Sequence, residues 1–361
     1  VPMIGFGQNV NIPDANFKGY LVGNAAINTN GDTEIQVSEA SVFGGYIQCP
    51  LLNISDLTGI EEFTALTFLN CASNDLNTLN VSNNPALTYL ECSWNQLTGL
   101  DVSNSPSLTF LNCSYNDLNT LNVSNNTALT ELNCSYNNLT SLNVSQDTAL
   151  TILECNNNQL TSLDVSNNTA LIDLLCGSNP LYSLNLSNNI ALEYLYCDNN
   201  QLTSLNVDSN PALIGLFCGD NLLSSLDLSN NTALTSLFCY NNLLTSLDLR
   251  DGNNYNIHPY NFNSYNNYNL FCIDVDDPTW STANLTDIDS WTSFHTNCVT
   301  ALGCMDSLAL NYNSNATVDD NSCIYPISGC TDTTACNYDP LTVTDDGSCI
   351  LPDGCTDPLA I

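Results

Sequence analysis

The stretch LTFLNCSYNDL, residues 108–118, decides the fold, because its pattern recurs at a fixed interval along the middle of the chain. The interval between successive cysteines of the pattern is 21 residues. The nine cysteines in this register are Cys71, Cys92, Cys113, Cys134, Cys155, Cys176, Cys197, Cys218 and Cys239. Stacked copies of one short unit explain equal spacings of this kind, whereas a disulfide framework or a metal site alone does not. The sequence therefore predicts a solenoid.

Each copy reads L-x-x-L-x-C-x-x-N-x-L, a leucine-rich repeat in which cysteine takes one inward leucine position. We expect a short parallel β-strand in every copy, followed by a convex side of extended or 3-10 backbone. Because no single coil can bury its own apolar face, each coil depends on its neighbours. The predicted fold class is a repeat solenoid with a small helical cap at its N-terminus and small disulfide-stapled modules at its C-terminus.

Two features of the repeat concern its interior. An asparagine recurs as faithfully as the cysteine, at Asn74, Asn95, Asn116, Asn137, Asn158, Asn179, Asn200, Asn221 and Asn242. A buried amide side chain both donates and accepts, so it can satisfy the backbone groups that the turn after each strand leaves without partners.

The ladder cysteines share the ~4.8 Å spacing of parallel strands, and their parallel side chains stay wider apart than the ~3.8 Å between Cβ atoms that a disulfide prefers. We expect buried thiols.

Degenerate copies extend the solenoid at both ends. Ile47-Gln48-Cys49 precedes the first regular cysteine, and Leu270-Phe271-Cys272 follows the last one after an insertion rich in Asn and Tyr. We divide the chain into an N-terminal cap, the solenoid, a C-terminal cap, two small Cys-stapled repeats and the start of a third repeat, at residues 1–44, 45–275, 276–300, 301–326, 327–352 and 353–361.

The small repeats share the pattern G-C-x-D…D-D-x-S-C and are too short to hold a core, so a disulfide in each is the natural stabilising device. We predict the pairs Cys272–Cys298, Cys304–Cys323 and Cys330–Cys349. The partners of Cys336 and Cys355 stay open. The third copy stops at Ile361, and we expect the native polypeptide to continue as a stalk of such modules.

The charge balance is strongly negative. The 361 residues include 37 acidic and two basic side chains, for a net charge of −35. Such a surface repels nucleic acids and anionic membranes, so we expect neither as a partner, and no stretch approaches the ~20 apolar residues of a membrane span. The chain opens on Val1, which we interpret as a mature form without its signal, and its 18 cysteines fit an oxidising compartment. We predict a secreted or cell-surface protein.

The repeat resembles those of internalin-like surface proteins of bacteria, and among them the branch with a cysteine ladder. The likeness rests on the motif L-x-x-L-x-C-x-x-N-x-L-T-x-L-D-V-S-x-N-x-A and covers roughly residues 10–300. Internalin-like proteins are secreted or wall-attached adhesins with an EF-hand-like N-terminal cap. The resemblance therefore implies an adhesion function and a cap of that shape, with or without metal.

The cap contains a candidate calcium loop. Its side-chain oxygens fall at the spacing of an EF-hand loop, with Asn28, Asn30, Asp32, Glu34, Gln36 and Glu39 as candidate ligands. Thr33 stands where that loop needs glycine, and Asn28 stands where it usually has aspartate. Two interpretations stay open: a Ca²⁺ site, or a metal-free relic of the same shape.

Catalysis is not expected. The two histidines, His258 and His295, lie outside the regular repeats, and the sequence has no phosphate-binding glycine loop and no G-x-S-x-G nucleophile motif. A carboxylate-pair hydrolase would need a deep pocket, whereas solenoid coils offer shallow faces. We predict that the chain is not an enzyme and name no catalytic residue.

Aromatic residues at outward strand positions form the candidate binding face. They cluster over three coils, as Tyr194, Tyr196, Phe217, Phe238 and Tyr240. A second set, Trp94, Tyr115 and Tyr136, stands just past the strands. Aromatic rows flanked by acidic residues suit recognition of a sugar or a protein. The other interpretation is that aromatic residues favour exposed strands and stabilise their cross-strand neighbours.

The predicted function is a non-catalytic extracellular adhesion or recognition module that binds a protein or glycan surface through the strand face. The alternative is a structural subunit of a cell-surface filament or sheath, whose partners are copies of itself. A third interpretation is a targeting domain for a hydrolase encoded beyond Ile361.

Overall fold

The computed structural model describes residues 7–340 and 342–351 of the chain. The start of the third small repeat, predicted at 353–361, lies outside the described residues. The helices are α1 (Ala15–Val22), α2 (Val37–Ala40), α3 (Pro278–Asn284) and α4 (Cys298–Ala301), with 3-10 helices η1 (Ile60–Glu62), η2 (Asn254–Asn256) and η3 (Pro259–Asn261). The strands are β1 (Tyr46–Gln48), β2 (Phe68–Asn70), β3 (Tyr89–Glu91), β4 (Phe110–Asn112), β5 (Glu131–Asn133), β6 (Ile152–Glu154), β7 (Asp173–Leu175), β8 (Tyr194–Tyr196), β9 (Gly215–Phe217), β10 (Ser225–Asp227), β11 (Ser236–Phe238), β12 (Ser246–Asp248), β13 (Phe262–Asn263), β14 (Cys272–Asp274), β15 (Ser293–His295), β16 (Leu302–Gly303), β17 (Val318–Asp319), β18 (Ser328–Gly329) and β19 (Thr344–Asp345).

The predicted parallel solenoid is confirmed. Eleven strands form one parallel sheet in the order β1 to β9, then β11 and β13. Leu111, the middle residue of β4, pairs with Leu90 and Leu132 of the neighbouring coils, so the register equals the sequence repeat. In β4 the middle leucine points into the core and the flanking Phe110 and Asn112 point outward, as the pleat of a strand requires.

A second parallel sheet forms only near the C-terminal end of the solenoid, in the order β10, β12, β14 and β15. In earlier coils the same part of the repeat makes isolated bridges, such as Asn80 with Asp101 and Asp101 with Asn122. The rest of the convex side in these coils consists of turns and extended backbone. The four-stranded sheet was not predicted, because the Ser-Leu-Asp sequence of β10 and β12 also occurs at residues 162–164, where no strand forms.

The last coil of the main sheet differs from the sequence-based expectation. Leu270-Phe271-Cys272 is not a rung of the cysteine ladder, because Cys272 begins β14 of the second sheet. The insertion instead supplies β13, in which Phe262 pairs with Leu237 and Asn263 pairs with Phe238. The prediction is wrong here because this coil is longer than 21 residues and carries Ser264 at the position where the other coils carry cysteine.

The asparagine ladder does what its chemistry predicts. The Asn116 side-chain amide donates to the carbonyls of Cys92, Cys113 and Ser114 at 3.1, 3.1 and 3.2 Å. Its Oδ1 accepts from the Leu97 backbone N–H at 2.9 Å. Because Cys92 and Leu97 belong to the preceding coil, each asparagine ties two coils together.

A second asparagine row on the other side of the core was not predicted. Its members are fully or almost fully buried, with Asn84, Asn126, Asn168, Asn189, Asn210 and Asn231 in six positions and Ser105 and Asp147 in the other two. Asn126 shows the common geometry, since its amide donates to the carbonyls of Val102 and Ser105 at 2.9 and 2.8 Å. The signal was present as the same 21-residue spacing, but it lies among polar neighbours that are exposed by default.

The caps and small repeats close the ends of the core. Helix α1 begins at a cap in which Asp14 accepts from the backbone N–H groups of Asn16 and Phe17, and it buries Phe17 and Leu21 against the first coils. The structure contains the three expected disulfides, Cys272–Cys298, Cys304–Cys323 and Cys330–Cys349. Among the described residues, no helix has the length and apolar character needed to cross a membrane.

The ladder cysteines are buried thiols, ten in all because Cys49 joins the nine regular ones. Burial raises the pKa of Cys134 and of Cys239 to about 12. Since the thiolate is the reactive form, we expect iodoacetamide to leave the ladder unmodified in the folded protein. After denaturation without reductant, all ten should be alkylated, which peptide mass spectrometry can map. Ladder peptides that stay unlabelled until a reductant is added would show instead that the thiols are oxidised.

Candidate binding surfaces of the solenoid

The strand face of the main sheet divides into three zones along the solenoid. An aromatic row occupies the first coils, where Phe68, Tyr89 and Phe110 stack with ring centroids 4.2 Å apart. An acidic zone follows in the middle. It consists of Glu131, Glu154, Asp173 and Glu193. The predicted aromatic cluster occupies the last coils.

The structure places the five predicted binding residues on three neighbouring coils. Tyr196, Phe217 and Phe238 stack as a row, with centroid separations of 4.2 and 5.1 Å. Tyr194 lies two positions before Tyr196 on β8, and Tyr240 lies just past β11. All five side chains are half-buried, and the stacked row of Tyr196, Phe217 and Phe238 presents one apolar surface.

Two glycines provide the room for this cluster. A Cβ atom on Gly215 would lie 2.8 Å from Cδ1 of Tyr194, and one on Gly219 would lie 2.6 Å from Cζ of Tyr240. The tyrosine rings therefore lie directly over the backbone of a neighbouring coil. The sequence analysis missed this role of glycine, although both residues interrupt outward rows that carry larger side chains elsewhere.

The acidic zone concentrates like charges. Burial, followed by the proximity of Asp173 and Glu131, raises the pKa of Glu154. Burial and then Glu193 raise the pKa of Asp173. Carboxylates that share a surface in this way repel one another and attract cations.

The two basic residues of the chain do not relieve this repulsion. Lys18 pairs with Glu34 at 2.7 Å in the N-terminal cap. Arg250 pairs with Asp248 and Asp274 at the far end of the solenoid. Positive charge at the strand face must therefore come from ions or from a partner.

The candidate calcium loop has its oxygens engaged by protein donors. Glu39 accepts from the backbone N–H groups of Thr29 and Gln36 at 2.8 and 3.0 Å. The Glu34 carboxylate is turned to Lys18. Asp32 accepts from the side-chain amides of Asn30 and Gln36, and Asn28 Oδ1 accepts from the Gly31 N–H. These residues do not fit a calcium ion in this arrangement, which favours the metal-free interpretation, while a bound ion stays a prediction from the spacing.

We expect calcium to leave the melting temperature unchanged. An EF-hand-like site with a Kd near 10⁻⁵ M would stabilise the fold by about 2.7 kcal/mol at a hundredfold higher calcium concentration, which is a readily measured shift. Thermal melts in millimolar calcium and in chelator would test this. A higher melting temperature with calcium that Glu39→Gln abolishes would restore the calcium site.

Comparison with solved structures identifies the fold and the family. The functional domain of InlJ from Listeria monocytogenes, which includes a cysteine ladder, matches with a TM-score of 0.62 and 30% identity, over 89% of this chain and 76% of InlJ. A leucine-rich-repeat protein of Leptospira interrogans matches with a TM-score of 0.54 and 22% identity, over 66% of this chain and 64% of that protein. The leucine-rich-repeat domain of APL1B matches with a TM-score of 0.51 and 23% identity, over 57% of this chain and 66% of that domain.

The last two matches show the fold alone. No family model and no curated protein sequence matches the chain. The match to InlJ shows more than the fold, because it covers most of both chains at 30% identity. Both proteins also contain a cysteine ladder, which has ten buried cysteines in this chain. The chain belongs to the internalin family of leucine-rich-repeat proteins, in the branch with a cysteine ladder.

Proposed function

We propose that the chain is a non-catalytic extracellular adhesion or recognition module that binds a protein or glycan surface through its strand face. The contact is centred on the strand-face cluster, defined as Tyr194, Tyr196, Phe217, Phe238 and Tyr240. The observation that carries the proposal is the stacked row of Tyr196, Phe217 and Phe238 in this cluster, beside an acidic zone. Stacked, half-buried rings are rigid anchors that lose little conformational entropy on binding.

Family and surface chemistry support the extracellular setting. Leucine-rich-repeat proteins of the internalin kind are interaction or adhesion modules in general, and three disulfides fit an oxidising exterior. The net charge of −35 keeps such a module soluble and disfavours contact with anionic surfaces. The cavity lined by Ser178, Pro180 and Gln201 is wide open to solvent, which suits recognition better than enclosed catalysis.

The test is a variant that removes the rings and keeps the fold. The row of Tyr196, Phe217 and Phe238 carries asparagine in other coils, at Asn70, Asn112, Asn133 and Asn263. Replacing all three rings by asparagine, the strand-face variant, therefore installs native residues of the same row. Binding to immobilised glycans and extracellular proteins should fall by about tenfold or more, which corresponds to about 1.4 kcal/mol.

A matched control removes the other stacked row of the same face. Phe68, Tyr89 and Phe110 can be replaced by serine, the residue found at Ser236 of that row. We expect this control to bind like the native chain. Binding that survives in the strand-face variant would show that this cluster is not the contact surface. Self-association of the native chain in sedimentation experiments, lost in the strand-face variant, would support a structural subunit instead.

A further inference from the structure

Every regular coil leaves its strand through one residue in the left-handed region of backbone conformation. Their φ angles lie between 52° and 55°. These residues are Ser73, Trp94, Tyr115, Tyr136, Asn157, Ser178, Asn199, Asp220 and Asn241. Asparagine and aspartate suit this position, because a short polar side chain can bond to the local backbone. A bulky aromatic residue is an outlier there. Three consecutive coils nevertheless carry one.

The three rings form one exposed feature, the aromatic ledge, defined as Trp94, Tyr115 and Tyr136. The rings stack with centroid separations of 3.9 and 4.0 Å and interplanar angles of 11° and 10°. Trp94 is 56% exposed and Tyr136 is 43% exposed. The same position carries Ser73 in the coil before the ledge and Asn157 in the coil after it, so the row itself adds no further ring at either end.

Stacking alone does not account for the ledge. Phe68, Tyr89 and Phe110 stack equally well at strand positions, where the extended backbone accommodates an aromatic residue without strain. Backbone strain that persists across neighbouring repeats is instead typical of a functional surface. The ledge also lies on coils well before the strand-face cluster, so it is a separate surface of the solenoid.

The surroundings of the ledge define its partner by charge. Asp75 and Asp117 are exposed and lie two residues past Ser73 and Tyr115, respectively. Both basic residues of the chain are paired elsewhere, with Lys18 on Glu34 and Arg250 on Asp248. Aromatic faces beside carboxylates attract guanidinium and ammonium groups through cation–π and ionic interactions.

We propose that the aromatic ledge is a second docking surface, which binds a basic segment of a partner protein through its arginine or lysine side chains. The cation lies over the outer face of Trp94 or Tyr136, and the exposed carboxylates of Asp75 and Asp117 add charge attraction from the same turns. This surface is independent of the strand-face cluster, and either one can be disproved without the other.

The test uses the native chain and a ledge variant, Trp94→Ser, Tyr115→Asn and Tyr136→Asn, whose new residues occupy the same position in other coils. The probe is a fluorescent peptide of alternating glycine and arginine, and the matched probe carries neutral citrulline in place of arginine. The protein control is the serine variant of Phe68, Tyr89 and Phe110, because it also removes three stacked rings and keeps all 37 acidic residues. Anisotropy at about 0.15 M salt reports binding with surface charges screened beyond ~8 Å.

The ledge variant should bind the arginine peptide about tenfold more weakly than the native chain, while the serine variant of Phe68, Tyr89 and Phe110 should bind it equally well. Trp94 fluorescence should change on binding of the arginine peptide and not of the citrulline peptide. Equal binding by all three proteins would overturn the proposal, since only general charge attraction would remain. Equal affinity for the two peptides, or a ledge that binds immobilised glycans and not the basic peptide, would also overturn it.

Discussion

Replacing Asn137 by alanine should lower the free energy of unfolding by about 4 kcal/mol, the largest effect we expect from a single side chain in the solenoid. The Asn137 amide donates to the carbonyls of Cys113, Cys134 and Ser135 at 3.0, 3.1 and 3.2 Å. Its Oδ1 accepts from the Leu118 N–H at 3.0 Å. Alanine would leave these backbone groups in a buried turn without their partner, and the desolvation of each would be uncompensated.

The position of Asn137 near the middle of the solenoid gives the substitution a second signature. Coils of a solenoid contact only their neighbours, so a weakened interface in the middle separates the chain into two cooperative units. Denaturant unfolding followed by circular dichroism should therefore broaden or resolve into two transitions in the variant. We expect a two-state model to fit the unfolding curve of the native chain and to fail for the variant.

The neighbouring residue provides the control. Asn138 lies on the rim of the same turn, and its backbone N–H, which alanine retains, donates to the Leu118 carbonyl at 2.8 Å. Other coils carry glutamine, aspartate, proline or leucine at this position. Asn138→Ala should therefore change the stability by less than about 0.5 kcal/mol. Equal unfolding curves for the two variants would show that the asparagine ladder does not hold the coils together.

The cysteine ladder and the first asparagine ladder could be predicted from the sequence, because the repeat pattern allows only one orientation of their side chains. A cysteine or asparagine repeated after a strand, among leucines, has to face the core, and both ladders lie where the pattern predicts. The second asparagine row has the same period, but Asn126 follows another asparagine in a polar turn, where exposure is the default expectation. Only the stacking of coils, which brings the carbonyls of Val102 and Ser105 next to it, distinguishes the buried residue.

The surfaces were less predictable, because they depend on contacts between coils. The outward position of Tyr194 follows from the strand pleat. The contact of its ring with the backbone of Gly215 depends on how closely two neighbouring coils pack, which the sequence does not reveal. The strain at Trp94 requires its backbone angle, which the repeat pattern does not reveal. In the calcium loop, the spacing indicates the oxygens, whereas the turn of Glu34 toward Lys18 is a tertiary contact with helix α1.

Asp147 should make the stability of the solenoid depend on pH. It occupies the second asparagine row with a fully buried side chain, and neither carboxylate oxygen has a hydrogen-bond partner among the described residues. Burial raises the pKa of Asp147 from 3.8 to about 7. The carbonyls that an asparagine would bond here belong to Val123 and Asn126, by analogy with the bonds that Asn126 makes one coil earlier.

The direction of the effect follows from proton release. Below pH 3.8 both the folded and the unfolded chain hold the Asp147 proton, and stability does not depend on this group. Between that pH and about 7 the unfolded chain releases the proton and the folded chain retains it, so stability falls as pH rises. Above this range both states are ionised and the loss is complete, at about 4 kcal/mol or less.

Asp147→Asn should remove this pH dependence and raise the free energy of unfolding by about 2–4 kcal/mol at pH 8, because the amide can donate to the carbonyls that a carboxylate repels. Asp164→Asn is the control, since it removes one exposed charge at a position where other coils carry asparagine. Denaturant unfolding from pH 4 to pH 8 should show the gap between the two variants widening toward pH 8. A gap that stays constant from pH 4 to pH 8 would contradict the prediction, because it would show that Asp147 does not titrate in the folded chain over this range.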